Sequence, residues 1–264
     1  MSEFVPTPPP PVPFPHIRSD LPLLAPLAWL RAGWNDFAAH PFPSLFYGAC
    51  FTLLGWVFVF ALSHAVAMVT GVTTGFLLVA PFFATGLYEL SLLREQGETV
   101  MLAPTLSAWR RNLPAFGIYS LVLIVIYLLW ARASMVIFAL FYQGGLPTLT
   151  DLIQQILRFD NTEFLIAYFI VGGIFACIAF AVSVVSIPLI LDQGQDTITA
   201  MIASALTLFR NPAPVLLWAA IIVTFTAIGI STAFFGMLVL MPLLGHTTWY
   251  AYRALVEPGQ PPAP

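Results

Sequence analysis

The sequence has no lysine. Its nine basic residues are all arginine, and with twelve acidic residues they leave a formal charge of −3. That balance excludes a basic nucleic-acid binder and offers no patch for a polyanion. Charge of either sign is scarce: Asp, Glu, Lys and Arg make up 8% of the chain, against about a quarter in soluble domains. Such a chain has too little polar surface to cover a water-facing globule. Cysteine occurs only at Cys50 and Cys177, both inside apolar runs. A disulfide framework, a C-x-x-C motif and a c-type haem attachment are thereby excluded. Also absent are a Ser-His-Asp arrangement, a phosphate loop, an H-E-x-x-H motif and paired carboxylates at catalytic spacing. The expectation is a protein that is not an enzyme and has no cofactor of its own.

What the chain does have is apolar length. Of its 264 residues 59% are hydrophobic, and the mean hydropathy is +0.91. This composition belongs to an all-α integral membrane protein. A helix needs about 20 residues to cross the hydrocarbon, and six stretches qualify: 44–69, 72–93, 115–131, 163–187, 214–234 and 235–255. Little more than Thr70-Gly71 joins the first two, and a turn containing Gly236 joins the last two, so each pair reads as a tight hairpin. Arg132 ends the third span. Beyond Gly144-Gly145 and Pro147, apolar residues recur at helical spacing from Leu149 to Leu157, a pattern that suits a short helix on the bilayer surface. Arg18, Arg31, Arg94, Arg110, Arg111, Arg210 and Arg253 flank one side of the spans, and Arg132 and Arg158 the other. The bias places both termini in the cytoplasm.

Residues 1–20 form a proline-rich tail that cannot pack a core, and 258–264 a similar loose end. No charged segment followed by an apolar core opens the chain, so no secretory signal is expected. The single transmembrane domain, 21–257, shows internal self-similarity. An amphipathic segment ending in a polar residue and proline precedes three of the spans: 27–39 before His40-Pro41, 104–112 before Pro114, and 196–210 before Asn211-Pro212. Pro81, Pro188 and Pro242 mark the second span of each pair. The chain therefore reads as three copies of interfacial helix, span, span, over 27–95, 104–193 and 196–255. Trp29, Trp34, Trp109 and Trp249 fall at the inner boundary, where an interfacial belt is expected.

Few residues carry chemistry. Glu89 is a carboxylate within a span, which is costly and marks either a pairing partner or a proton or ligand site; Arg94, Arg110 and Arg253 are its candidate partners. Asp192 closes the fourth span, and Asp196 reads as the N-cap of the next helix. His64 and His246 are outside candidates for a metal or haem, but they lie near opposite faces, so polar contacts are expected of both. Glu89, Asp192 and His246 each follow a proline by four to eight residues. They are expected at the cytoplasmic ends of three helices, with Arg94, Arg253 and Asn211 near enough to pair. Such a cluster would fix how the hairpins dock.

Several segments resemble the bacterial integral-membrane family known as domain of unknown function 2189. They are His40-Pro41-Phe42-Pro43-Ser44-Leu45-Phe46-Tyr47-Gly48, Gly86-Leu87-Tyr88-Glu89-Leu90, Ser183 to Pro188, Asn211-Pro212 with Leu217-Trp218-Ala219, and Leu244 to Arg253. Where relatives often carry a histidine after the tryptophan of the last motif, this chain has Tyr250. The resemblance implies a multi-span protein of the bacterial inner membrane with no established activity. Some members carry a cytochrome c oxidase subunit label. With four histidines in all, this chain lacks the ligands of a haem-copper subunit, so such a link implies an accessory subunit among other membrane subunits. The alternative is a small-molecule or lipid handler using a cavity between the repeats, with Glu89 and His246 at its mouth. Bound membrane lipids are expected in either case.

Overall fold

A computed structural model describes residues 13–64, 66–141 and 161–257, and side chains in these ranges other than those at 62–70. The described residues are helical throughout, apart from turns and one antiparallel bridge between Ile17 and Val256. In chain order the helices are α1 (Ala25–Ala39), α2 (Pro41–His64), α3 (Val66–Glu95), α4 (Leu102–Thr105), a 3₁₀ turn (Ala108–Asn112), α5 (Leu113–Phe141), α6 (Thr162–Ala181), α7 (Ser186–Gln193), α8 (Thr197–Arg210), α9 (Pro212–Ser231) and α10 (Met237–Leu255).

Five stretches are long and apolar enough to cross a membrane: Pro41–Ala61, Gly71–Glu95, Leu102–Phe141, Thr162–Gln193 and Pro212–Ser231. The sixth expected stretch forms a helix, α10, but it is not among these five. Its first half is apolar, and its second half, from His246 to Arg253, carries the polar side chains around which the bundle is built. Other expectations need adjustment. Thr70 and Gly71 are helical and do not connect the first pair. The third apolar stretch does not stop at Arg132, whose side chain is exposed, but runs on with α5 to Phe141. The fourth span is broken by a turn at 182–185 ahead of Pro188, so the proline sits in the first turn of α7, where its missing N–H costs little. The segment at 104–112 is not one amphipathic helix but α4 and a 3₁₀ turn. The expected surface helix at 149–158 lies outside the described residues.

α10 is the hub. It packs against α1, α2, α3 and α9. Close approach is secured by small residues, as membrane helices require in the absence of a strong hydrophobic drive. Gly33 of α1 faces Thr247, Gly48 of α2 lies against the Leu238 backbone carbonyl, and Gly245 accepts Leu87 of α3. The α9–α10 turn holds Ala233 and Phe234 at positive φ, 52° and 68°. Side chains of α2 stabilise it: Thr52 Oγ1 donates to the Phe234 carbonyl at 3.2 Å, and Trp56 Nε1 donates to that of Ala233 at 2.9 Å.

The helix α8 is inside-out. The buried face of α8 is small and polar, with Ala200, Ala203, Ser204 and Thr207, and its exposed face carries Ile198, Ile202 and Phe209. α1 is mixed: it buries Gly33 and Asp36 together with Trp29 and Phe37, and it exposes Leu27 and Trp34 beside Arg31. Two of the four expected boundary tryptophans are core residues instead. Trp249 is fully buried, and Trp29 stacks edge-on to Trp218 with ring centroids 6.3 Å apart.

Both ends of the described chain meet at one end of the bundle. Ile17 is buried against Val256, and Arg18 N–H donates to the Leu255 carbonyl at 2.9 Å. Asn211 clamps this strap through its side chain, donating to the Arg18 carbonyl at 2.7 Å and accepting from Leu21 N–H at 3.1 Å.

Candidate functional site

The acids expected to cluster do sit at this one end, but they separate into three neighbouring sets. In the first, Glu89 on α3 is buried, with 1% of its surface exposed, and meets Arg111 of the 3₁₀ turn through a two-pronged pair with Nη1–Oε2 at 2.7 Å. The expected partners were Arg94, Arg110 and Arg253; none of them takes this role. A 3₁₀ turn has three residues per turn instead of 3.6, and the ion pair falls to the second arginine of Arg110-Arg111.

The second set centres on Asp36, which sequence reasoning passed over. It lies on α1, 2% exposed. Arg94 of α3 pairs with its Oδ1, and the Tyr250 hydroxyl donates to the same oxygen at 2.8 Å. His246 is beside it, with Nδ1 4.0 Å from Oδ2. The imidazole is held between two serines: Ser44 Oγ is 3.0 Å from Nε2, and Ser91 Oγ is 2.8 Å from Nδ1. His246 is thus a buried junction among α1, α2 and α3, not a partner of Glu89 or Asp192.

In the third set Arg253 of α10 bridges two carboxylates. Its Nη1 is 2.8 Å from Asp192 Oδ2, and its Nε 3.0 Å from Glu95 Oε2. The guanidinium lies 4.7 Å from the Trp249 ring centroid, a cation–π contact. Trp249 Nε1 donates to Glu95, and the Tyr252 hydroxyl to Asp192. Asn211, expected near these groups, serves the N-terminal strap instead. Among the described residues, no group of three or more His, Cys, Asp or Glu could hold a metal. The His64 side chain is outside the described residues.

Asp196 behaves as the sequence implies. Its carboxylate accepts from the backbone N–H of Ile198 at 2.9 Å and Thr199 at 3.0 Å. Hydrogen bonds from Thr199, side chain first, hold its carboxyl below the usual aspartate range.

Among the described residues, the other half of the bundle has no comparable polar set. It contains two apolar clefts that meet α3 at the same residues, Thr73 and Phe76. One, of about 620 Å³, opens between α3, α5 and α6 along Tyr127, Trp130, Gly172 and Ala176. The other, of about 350 Å³, lies between the α2–α3 and α9–α10 pairs, along Gly55, Phe58, Thr226 and Met241. Their volumes fall within the range of about 300–1,000 Å³ typical of small-ligand sites. Their linings offer almost no hydrogen-bonding groups.

No curated protein and no solved structure matches the chain. A family model described as predicted integral membrane protein matches residues 68–192. That segment runs from α3 to the end of α7 and takes in two of the motifs quoted above, Gly86 to Leu90 and Ser183 to Pro188. The family's description names no activity, substrate or complex. Five apolar helices of spanning length and this match agree, and over residues 68–192 the chain is similar to the DUF2189 family of predicted integral membrane proteins.

Proposed function

We propose that the protein is a non-catalytic, multi-pass membrane protein that accommodates acyl chains, or molecules of similar apolarity, in the clefts between its helical hairpins. The observation that supports this is the cleft of about 620 Å³ between α3, α5 and α6. It lies in the apolar half of the bundle, away from Glu89 and His246. The side chains of those two residues are already engaged within the fold, so they line no solute path. Filling the cleft with Ala176→Phe tests the proposal. The variant should lose bound lipid in native mass spectrometry with its unfolding temperature unchanged. An unaltered lipid count would overturn the proposal.

A second reading, an accessory subunit of a larger inner-membrane complex such as a respiratory oxidase, has one observation in its favour. Only 11% of the most apolar window in Leu102–Phe141 is buried, which leaves a long face for another subunit. Purification in mild detergent separates the two: co-migrating haem-bearing subunits support this reading, and a lone protein carrying lipid supports the first.

In this reading α10 is the sixth span, both termini are cytoplasmic and the membrane is the bacterial inner membrane. Three repeats are also part of it, and two observations support them. His40 and Asn211, each preceding a proline, share a backbone conformation, φ −131° and ψ 64° against φ −132° and ψ 58°. Contacts between repeats are also cyclic: the 3₁₀ turn packs on α3, α8 on α7, and α1 on α10. Reporter fusions after Arg94 and around Gln154 test the topology. A cytoplasmic signal at Gln154 would refute it.

A further inference from the structure

We propose that the collar made by α1, the 3₁₀ turn and α8 is a binding surface for anionic phospholipids, with Arg31 and Arg110 holding the phosphate headgroups. A helix face of Ile198 and Ile202, or of Leu27 and Trp34, turned away from the protein is stable only in hydrocarbon or at its edge. Depth supports this placement. Trp29 of α1 packs on Trp218, which lies six residues, about 9 Å, into α9 from Pro212.

Arginine is distributed unevenly across this end. Arg94, Arg111 and Arg253 are paired with carboxylates. Among the described residues Arg31 and Arg110 have no acidic partner, and both are exposed. Arg31 stands between Leu27 and Trp34 on the outward face of α1, one turn from each. The Arg110 guanidinium lies 5.2 Å from the Trp109 ring centroid, beside the exposed Leu106. Each site therefore joins an unpaired guanidinium to aromatic and aliphatic surface at the edge of the hydrocarbon. Its complement is a phosphate group attached to an acyl chain. Arginine suits this role because its planar fork matches phosphate geometry and is weakly hydrated.

The test uses the full chain in nanodiscs made from an equimolar mixture of phosphatidylglycerol and phosphatidylcholine, with retained lipids read by native mass spectrometry. Phosphatidylglycerol should be enriched on the wild type. Arg31→Gln with Arg110→Gln should lower that enrichment by roughly fivefold per arginine, while R31K with R110K retains it. R132Q, towards the other end of α5, should leave it unchanged. The single variants R31Q and R110Q, each giving part of the loss, carry the test if the double variant folds poorly. Equal lipid ratios on the wild type and on the glutamine variants would overturn the proposal. So would displacement of the retained lipid by inorganic phosphate, which would identify a site for free anions.

Discussion

A methyl group added at Gly48 would lie 2.0 Å from the carbonyl oxygen of Leu238, whereas one added at Gly71 or Gly75 would meet nothing within 4 Å. The two ends of the bundle differ in this way along α3, while at the far end Gly55 of α2 is also closely packed, against Phe234. Around α10 and the inner turns of α2 and α3, helices approach backbone to backbone, and charged groups are tied into ion pairs. In the opposite half apolar clefts open between the hairpins, and among the described residues no charge is paired there. In water an open apolar cleft would collapse. In lipid it need not, because acyl chains fill it as well as leucine does. The unique fold is therefore specified at one end, by polar contacts and small residues, and the apolar helices extend from it.

Separating Glu89 from Arg111 should give the largest effect. Arg111 is half exposed and can reach water, while Glu89 cannot. Arg111→Ala leaves a buried carboxylate unpaired and should cost about 3–5 kcal/mol. Glu89→Gln should cost less, since the freed arginine can reach water. Adding Glu89→Gln to Arg111→Ala should restore much of the loss in detergent unfolding. If the two losses simply add, the pair is not what holds the 3₁₀ turn to α3.

Gly48→Ala should follow. Its added carbon meets backbone, which cannot rotate away, so α2 must move off α10. Overpacking of this kind costs about 1–3 kcal/mol, and the shift should disturb the His246–Ser44 contact. A loss below the lower figure would show that the two helices slide freely, and the end would then be less rigid than its distances imply.

The dense end was only partly legible in the sequence. Asn211-Pro212 and His40-Pro41 announced two helix starts, and Asp196 its cap, because those signals are local. Glu89 was recognisable as costly, but its partner depended on whether residues 108–112 formed an α-helix or a 3₁₀ turn. Asp36 was missed for a different reason. An acid on an interfacial helix ordinarily faces water, and only the packing of α1 against α10 buries it. The clue was present in the outward spacing of Leu24, Leu27 and Trp34 opposite Gly33. The clefts left no sequence signal, because lipid-facing and cleft-facing apolar residues look alike.

Asp196→Ala should produce a smaller and local loss of about 1 kcal/mol, visible as faster hydrogen exchange at Ile198 and Thr199. The same cap carries a pH dependence. Because its folded-state pKa is depressed, the contribution is complete above the ordinary aspartate range. It disappears as pH falls through the lowered folded value. The wild type and D196A should therefore converge in acid. A constant difference at all pH values would show that the charge of the cap is irrelevant.

Gly75→Ala should give the smallest effect and the sharpest test of the contrast between the ends. Gly75 is an exposed position inside α3, with open space where its side chain would be. Alanine removes backbone freedom from the unfolded chain and is the better helix former by about 1 kcal/mol in water. Part of that gain is lost in a bilayer, where hydrogen bonding already enforces the helix. The expected outcome is unchanged or slightly raised stability, in opposition to Gly48→Ala on the neighbouring helix. Measured in one lipid mixture, the pair of variants isolates packing from propensity, since both make the same chemical change. If Gly75→Ala costs as much as Gly48→Ala, the apolar half is closed in the bilayer and its helices touch there. The clefts would then hold no acyl chain, and the difference between the two ends would disappear.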